Sequence, residues 1–542
     1  DLVAGLTVWA VLVPEALAYA TIAGVSPVVG LYAAPGALLL YAALGSSRHL
    51  VTGPMSATAA LSAATVGDLV TGGGADFAAM TAALAITTGL AALLAGIARL
   101  GFLASFISEP VIKGFIVGLA LTIIIGQVPK LIGVEKGAGD FFEQLWDVAK
   151  GLGGVDGLTL AVGLGSLVVV LGLRRVAPAV PGSLVAVALG IAAVELLNLD
   201  AHGLEIVGHI DSGLPSLGAP DVALHDYGDL AAGGIGVMLV GFAEGLGAAK
   251  TYAARDHYEI DANRELMGLG AANLASGLST GMVVNGSLSK TAVNGSAGAR
   301  TQLSGLVVAV LTVVTLLVLT GLFESLPEAT LAAVVIAAVI ELVDVPALAR
   351  LYRIYTGRSR GRLALAARPD FVAALAAMLG VLVFDTLPGL FIGIAVSLLL
   401  LLYRASRPHV AELGAVPGAE GQWGDRARHP ENRPADGVAV LRVDGGLFFA
   451  NADGIRARVR EAAAAEDVRA VVLDAETVPY VDVTAAQMLV ELAEDLARDG
   501  KRLLLARDIG DVRDVLRRAD PDSPLETVYP TVDAAVEALR EP

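Results

Sequence analysis

The 542-residue chain contains no cysteine. That excludes a disulfide framework and any zinc or iron–sulfur centre built on thiolates. It has only 7 histidines. They are scattered as His49, His202, His209, His225, His257, His409 and His429, with no paired ligand spacing, so no metal or other cofactor is expected. Charge is scarce at 17%, against about 25% in soluble domains. The net charge of −17 argues against nucleic acid as a partner. What the chain has in excess is apolar surface. Hydrophobic residues make up 55% and the mean hydropathy is +0.70, which excludes disorder and excludes a soluble globular enzyme as the whole protein. No nucleophile–base pair, glycine-rich phosphate loop or metal cluster stands out, so no enzymatic activity is expected. The chain opens on Asp1 rather than Met, which points to a trimmed N-terminus and leaves a targeting peptide unread.

Residues 1–404 read as a transmembrane domain. Apolar runs of about 15–20 residues, near the length that crosses a roughly 30 Å hydrocarbon core, recur throughout. Examples are Phe77–Ile97, Leu158–Leu173, Ser183–Leu197, Leu306–Leu322 and Phe371–Leu387. The pattern gives about fourteen segments, two of them short, after Gly53 and after Gly286. Residues 405–436 hold Pro408, Pro417, Pro430, Pro434 and many charges, and read as a linker. Residues 437–542 read as a small α/β domain. Strands are expected at Val438–Val443, Ala470–Leu473 and Leu503–Ala506, and helices at Ala485–Ala497, Val512–Arg518 and Val532–Leu539. Basic residues fall in alternate loops: Arg48, Arg99, Arg174, Arg175, Arg255, Arg300, and the cluster Arg350, Arg353, Arg358, Arg360, Arg362. The other loops are acidic, with Asp200, Glu205, Asp211, Asp221, Asp226, Glu324 and Glu328. The positive-inside rule puts the basic set, both termini and the C-terminal domain in the cytoplasm of a multi-pass inner-membrane protein.

Two stretches repeat the pattern V-[TN]-G-x-x-S-x-T-A: Val51–Ala59 and Val284–Ala292. Each opens one of the short segments. Upstream, Glu15-x-Leu17-x-x-Ala20 is matched by Glu244-x-Leu246-x-x-Ala249 at a similar offset. Short, interrupted segments at matching positions in two halves point to a transporter's binding site. A helix that starts in mid-membrane presents unpaired N–H groups and a partial positive charge. Two such ends facing one another make an anion site without a metal. Ser56, Ser287 and Ser289 are candidate hydroxyl donors and Lys290 a candidate full charge. Ser56 and Ser289 also suit a plain capping role, and Lys290 a snorkelling one. Met55 and Leu288 read as packing residues whose places would line the cavity, and Gly286 stands at the segment start.

Glu15 and Glu244 sit inside apolar runs. A carboxylate there is costly unless paired or protonated, so both are candidates to carry a coupling proton. Lys250 is six residues from Glu244, which is not a facing separation on a helix. Tyr19 shares a helix face with Glu15, as pocket wall or core.

These residues resemble the sulfate permease (SulP) family of anion transporters. The resemblance rests on Asp1–Thr7, Val13–Ala20, Gly30-Leu31-Tyr32, Gly45-Ser46-Ser47-Arg48, Gly53-Pro54, Gly286–Asn294, Thr301–Gly305 and Asp385–Leu390. The C-terminal domain resembles a STAS domain. The resemblance implies fourteen spans in two inverted repeats of seven. A core domain holding the third and tenth spans would move against a gate domain, and the STAS domain would help form a homodimer. It places the anion between the starts of those two spans, near Glu15, Tyr19, Met55, Ser56, Ser287, Leu288, Ser289 and Lys290. The family often has Gln at Glu15, Phe at Tyr19 and Met55, and Arg at Lys290. Sodium-using relatives carry Asp at Glu244 and a hydroxyl one turn later, where this chain has Ala248. Bacterial anti-sigma antagonists of the STAS fold phosphorylate a Ser after an Asp. Here Thr484 follows Asp482-Val483, as a candidate phosphoacceptor or a simple helix cap. The expected function is proton-coupled transport of a small inorganic or organic anion, with sulfate ahead of dicarboxylate and bicarbonate. The rivals are a sodium-coupled bicarbonate transporter, an anion channel or exchanger, a nucleobase transporter of the same fold, and a protein that binds an anion without moving it.

Overall fold

A computed structural model describes residues 1–542 apart from 68, 71–74, 103–107, 136, 138, 178–179, 211, 355–367, 385, 520–524, 526–527 and 540–542. Arg358, Arg360, Arg362, Asp211 and Asp385, all singled out above, lie outside the described residues. The chain divides into two compact units, Asp1–Ser397 and Leu398–Pro542.

The first half of the membrane unit runs α1 (Leu2–Ile22), α2 (Pro27–Leu44), β1 (Val51–Gly53), α3 (Ser56–Gly67), α4 (Ala75–Ile97), α5 (Glu109–Ile132), α6 (Phe141–Gly151), α7 (Gly157–Val176) and α8 (Gly182–Leu197). The second runs α9 (Leu224–Asp229), α10 (Ala231–Arg255), α11 (Ala262–Leu278), β2 (Asn285–Ser287), α12 (Leu288–Ser296), α13 (Leu303–Val314), α14 (Glu328–Val339), α15 (Val345–Ile354), α16 (Pro369–Phe384) and α17 (Thr386–Ala405). Among the described residues, 8 helices are long and apolar enough to cross a membrane, and α8, α14 and α16 are shorter apolar ones. With α11 and the half-length α3 and α12 they make two sets of seven. At about 1.5 Å per residue, α3 and α12 are about 18 and 14 Å long, too short to span the bilayer alone.

The two halves interleave. α11 packs on α4 and α2, and α13 on α1 and α2, so α1–α4 and α10–α13 form one bundle. α16 packs on α5, and α14 on α5 and α7, which places α5, α7, α14 and α16 in another. Helices in lipid gain little from burying apolar surface and associate through close backbone approach. Gly89 of α4 is such a contact: a Cβ there would lie 2.7 Å from the Gly270 carbonyl oxygen of α11. The outer helices show the opposite character. α7 and the Pro388–Ala405 part of α17 are strongly apolar, yet each buries only 17% of an 18-residue stretch. Apolar faces so exposed belong against lipid, not water.

The second unit is a six-stranded sheet ordered β4-β3-β5-β6-β7-β8. Its strands are β3 (His409–Ala415), β4 (Trp423–Asp425), β5 (Val438–Asp444), β6 (Ala470–Asp474), β7 (Arg502–Ala506) and β8 (Val528–Tyr529). β5 to β8 are parallel, and β3 runs antiparallel to both β5 and β4. The helices are α18 (Ala452–Ala463), α19 (Val483–Arg498), α20 (Gly510–Ala519) and α21 (Val532–Glu537). α18, α19 and α20 bury apolar residues against one face, while α21 packs with Ala411, Leu413 and Val440 on the other. The stretch 405–436, expected as a linker, therefore contributes two strands. Its prolines lie outside both, Ala411 and Leu413 are buried, and Glu412 pairs with Arg426 on the exposed side. Helix α18 was not expected from the sequence. Its three arginines mask a buried stripe of Ile455, Val459 and Ala463 at four-residue spacing.

Candidate functional site

The two short strands that precede the half-helices pair with each other. Val51 faces Ser287, Thr52 faces Gly286, and Gly53 faces Asn285, antiparallel. The register has a direct consequence. α3 leaves the pair beyond Gly53, while α12 leaves it at Ser287, opposite Val51. Two helices that depart from opposite ends of an antiparallel pair have their N-termini toward each other. The ends of the strand pair from which they depart, at Gly53 and at Val51, are about 7 Å apart, two residues of strand rise. Gly286 permits the approach, since a Cβ there would meet the Leu50 side chain at 2.7 Å. Further bonds tie the halves together: Val51 N–H donates to Thr291 Oγ1 (3.1 Å) and Asn294 Nδ2 to the His49 carbonyl (2.9 Å).

Several of the expected residues converge here. Lys290 is fully buried, and its Nζ lies 2.8 Å from Glu15 Oε2. The same ammonium donates to the Pro54 carbonyl at 3.1 Å and sits 5.0 Å from the centre of the Tyr19 ring. Lys290, expected as a candidate full charge at the site or a snorkelling residue, is matched by a carboxylate from α1. The partial charges of the helix ends are left to act on a ligand. Ser287 caps α12, accepting from Lys290 N–H at 3.2 Å, and its hydroxyl is 3.1 Å from Ser289 Oγ. Met55 and Ser56 are buried. Leu288 is 50% exposed and Ser289 is exposed, so the α12 tip is the open side of the site.

Glu244 lies on α10 beside β2. Cβ atoms on the flanking Gly241 and Gly245 would come within 3.2 and 3.1 Å of the Asn285 side chain. Glu244 Oε2 is buried with no hydrogen-bond partner among the described residues. Lys250 is exposed and makes no ion pair with it among them. In the second unit Thr484 is exposed in the first turn of α19. The cap there is Asp482, whose carboxylate accepts from the N–H groups of Ala485 and Phe449, each at 2.8 Å.

Some of the surrounding polar frame was not read from sequence. Glu265 of α11, fully buried, accepts from Tyr41 Oη, Ser46 Oγ and the Ser46 and Ser47 N–H groups at 2.7–2.9 Å. His49, buried, contacts Tyr258 Oη, the Ala299 carbonyl and Asp256 at 3.0–3.1 Å. These bonds anchor the loop that leads into β1. The available signal was a polar motif, Gly45–Arg48, followed by His49, in an otherwise apolar region.

Residues 1–357 match the sulfate permease family and residues 429–535 the STAS domain. A probable sulfate transporter of Mycobacterium tuberculosis is 38% identical over all of this chain and 95% of its own length. High affinity sulfate transporter 1 of Stylosanthes hamata is 29% identical, over 93% of this chain and 78% of its own. Among solved structures, the murine Solute Carrier 26 family member A9 anion transporter, captured inward-facing, superposes with a TM-score of 0.88 at 22% identity, covering 100% of this chain and 91% of that one. The transmembrane domain of the cyanobacterial bicarbonate transporter BicA gives 0.61 at 24% identity, over 71% and 96%. The paired half-helices, the two interleaved sets of seven segments and the C-terminal sheet domain therefore have one common explanation: the chain belongs to the sulfate permease family of membrane anion transporters, with a STAS domain at its C-terminus.

Proposed function

We propose that the protein is a secondary transporter that carries a small anion across the cell membrane, with sulfate as the first candidate and protons as the coupling ion. The observation that carries this reading is the β1–β2 pair, which sets the N-termini of α3 and α12 against each other inside a membrane-spanning unit. The relatives named as sulfate transporters support the choice of anion. Because Glu15 and Lys290 compensate each other, the anion is held by helix-end N–H groups and by Ser56, Ser287 and Ser289. Glu244 takes the proton. Its Oε2 has no hydrogen-bond partner among the described residues, and a neutral carboxyl group is the form a buried, unpaired position tolerates. Protonation there offsets one charge of a dianion during crossing. The bundle holding both half-helices then carries the site as a rigid body against the α5–α16 bundle, an elevator-like movement. The STAS unit supports a homodimer, with both termini on the cytoplasmic side.

The test is uptake of radiolabelled sulfate, fumarate and bicarbonate into proteoliposomes, with and without an inward proton gradient. Sulfate uptake is expected to exceed the others and to rise with the gradient. In Glu244→Gln that stimulation should vanish while exchange of sulfate persists. Uptake that ignores the gradient in the parent protein removes the coupling proposal. Absence of anion uptake altogether removes the transport reading.

A further inference from the structure

Two cavities lie against α5 toward the end of α1 away from Asp1. One, of about 420 Å³, is bounded by α1, α3, α5, α16 and the start of α6. That volume is in the range of small-molecule sites, about 300–1,000 Å³. The other, of about 290 Å³, reaches the α1–α2 turn and the Lys130–Glu328 ion pair. Thr21 and Gln127 border both. Ala60 and Ala64 are wall residues of the larger cavity. They stand four and eight residues after Ser56, hence on the same face of α3. The cavity thus follows the face that carries Ser56, leading away from the half-helix tip. One wall comes from the bundle that holds the tips and the facing wall from the other bundle.

The polar groups of both walls are mostly committed. Thr21 and Thr122 hydroxyls donate to the Ala18 and Gly118 carbonyls, at 2.7 and 3.2 Å. Gln144 Nε2 donates to the Gly139 carbonyl at 2.7 Å. Asp140 Oδ1 accepts from Phe142 and Glu143 N–H at 2.9 and 3.0 Å, and Lys130 is 2.9 Å from Glu328. Gln127 differs. It is 7% exposed, and its Oε1 is buried with no hydrogen-bond partner among the described residues. A buried polar atom left unpartnered is costly and calls for a ligand or water. An amide presents two N–H donors and a carbonyl, and its two ends exchange by a simple flip. It can therefore donate to an oxyanion or hold the anion's hydration water.

We propose that Gln127 forms an outer recognition site where the transported oxyanion docks between the two bundles before it reaches the α3 and α12 tips. The inference rests on the transport reading above. Lys130 is matched by Glu328, and Asp140, held as a cap by two N–H groups, keeps its negative charge at the cavity wall, so Gln127 offers a weak dock rather than a strong one. A neutral amide suits this place, since a station on a permeation path must bind well enough to be entered and weakly enough to be left. By the distribution of basic loops this face is the external one.

Whole cells present this face and inverted membrane vesicles the opposite one. Initial rates of radiolabelled sulfate uptake, measured in both against sulfate concentration, test the proposal in Gln127→Leu, Gln127→Glu and Gln127→Asn. Gln127→Leu should raise the KM in whole cells by about fivefold, the worth of one neutral hydrogen bond, with kcat little changed. Gln127→Glu should raise it further by repulsion, and Gln127→Asn should stay near the parent. KM in inverted vesicles should not move. A KM unchanged in whole cells for both Leu and Glu variants overturns the proposal, as does an equal rise from both faces, which would put the effect at the central site. If Gln127→Leu fails to elute as folded protein, Gln127→Glu and Gln127→Asn decide it. Failure of the parent itself to take up anion in either preparation removes the transport reading, and this proposal with it.

Discussion

The Glu15–Lys290 pair permits a quantitative test. Lys290 is 1% exposed and the Glu15 side chain 11%, at 2.8 Å. Removing one partner from a buried ion pair leaves an uncompensated charge and costs about 3–5 kcal/mol, whereas replacing both with neutral groups is close to neutral. Glu15→Gln and Lys290→Met should each destabilise the purified protein by that amount. The double variant should recover most of it, apart from the lost Pro54 hydrogen bond and Tyr19 contact, about 1–2 kcal/mol together. Thermal unfolding in detergent is the assay. The chain has no cysteine for thiol dyes, but Trp9, on α1 and bonded to Thr315, reports on the membrane unit. Sulfate uptake supplies the second readout. Because the anion is assigned to the helix ends, uptake lost in either single variant should return in the double to within about tenfold of the parent, or 1.4 kcal/mol. Single-variant losses that simply add, with a coupling below about 0.5 kcal/mol, would refute the pairing argument. Restored stability without restored uptake would show instead that Lys290 meets the anion directly.

Three further outcomes are expected. Ser289→Trp should abolish sulfate uptake by filling the open side of the α12 tip while the melting temperature stays near the parent's; normal uptake would displace the site. Gly89→Val should part α4 from α11 and lower stability by about 1–3 kcal/mol, as overpacking does; an unchanged unfolding temperature would contradict the close packing. At Asp156, the N-cap of α7, the hydroxyl and N–H of Thr159 hold the carboxyl below its usual range. That stabilising contribution is complete above the ordinary carboxylate range and is lost as pH falls through the depressed folded value. The stability gap between the parent and Asp156→Ala should accordingly be open at neutral pH and close on acidification, and a gap independent of pH would count against it.

The membrane unit was legible because lipid imposes a simple rule, long apolar runs, and because the two halves repeat a motif at matching positions. The half-helices could be read from the same repeat, since Gly53-Pro54 and Gly286 interrupt their runs. The C-terminal sheet was legible only where strands are buried on both faces, as in β5, β6 and β7. Strand β3, with its single Glu412, and the short edge strand β4 were hidden among prolines, and α18 was hidden by its arginines. Sequence alone also marked Glu15, Glu244 and Lys290 as chemically conspicuous, because ionisable groups in apolar runs are rare. Their partners were another matter. Glu15 meets Lys290 because the strand pair draws the two halves together, and Glu244, whose helix lies on β2, makes no ion pair among the described residues. Ion-pair choice depends on atoms brought within about 4 Å, a condition that no spacing along the chain contains and that the packing of the two halves creates.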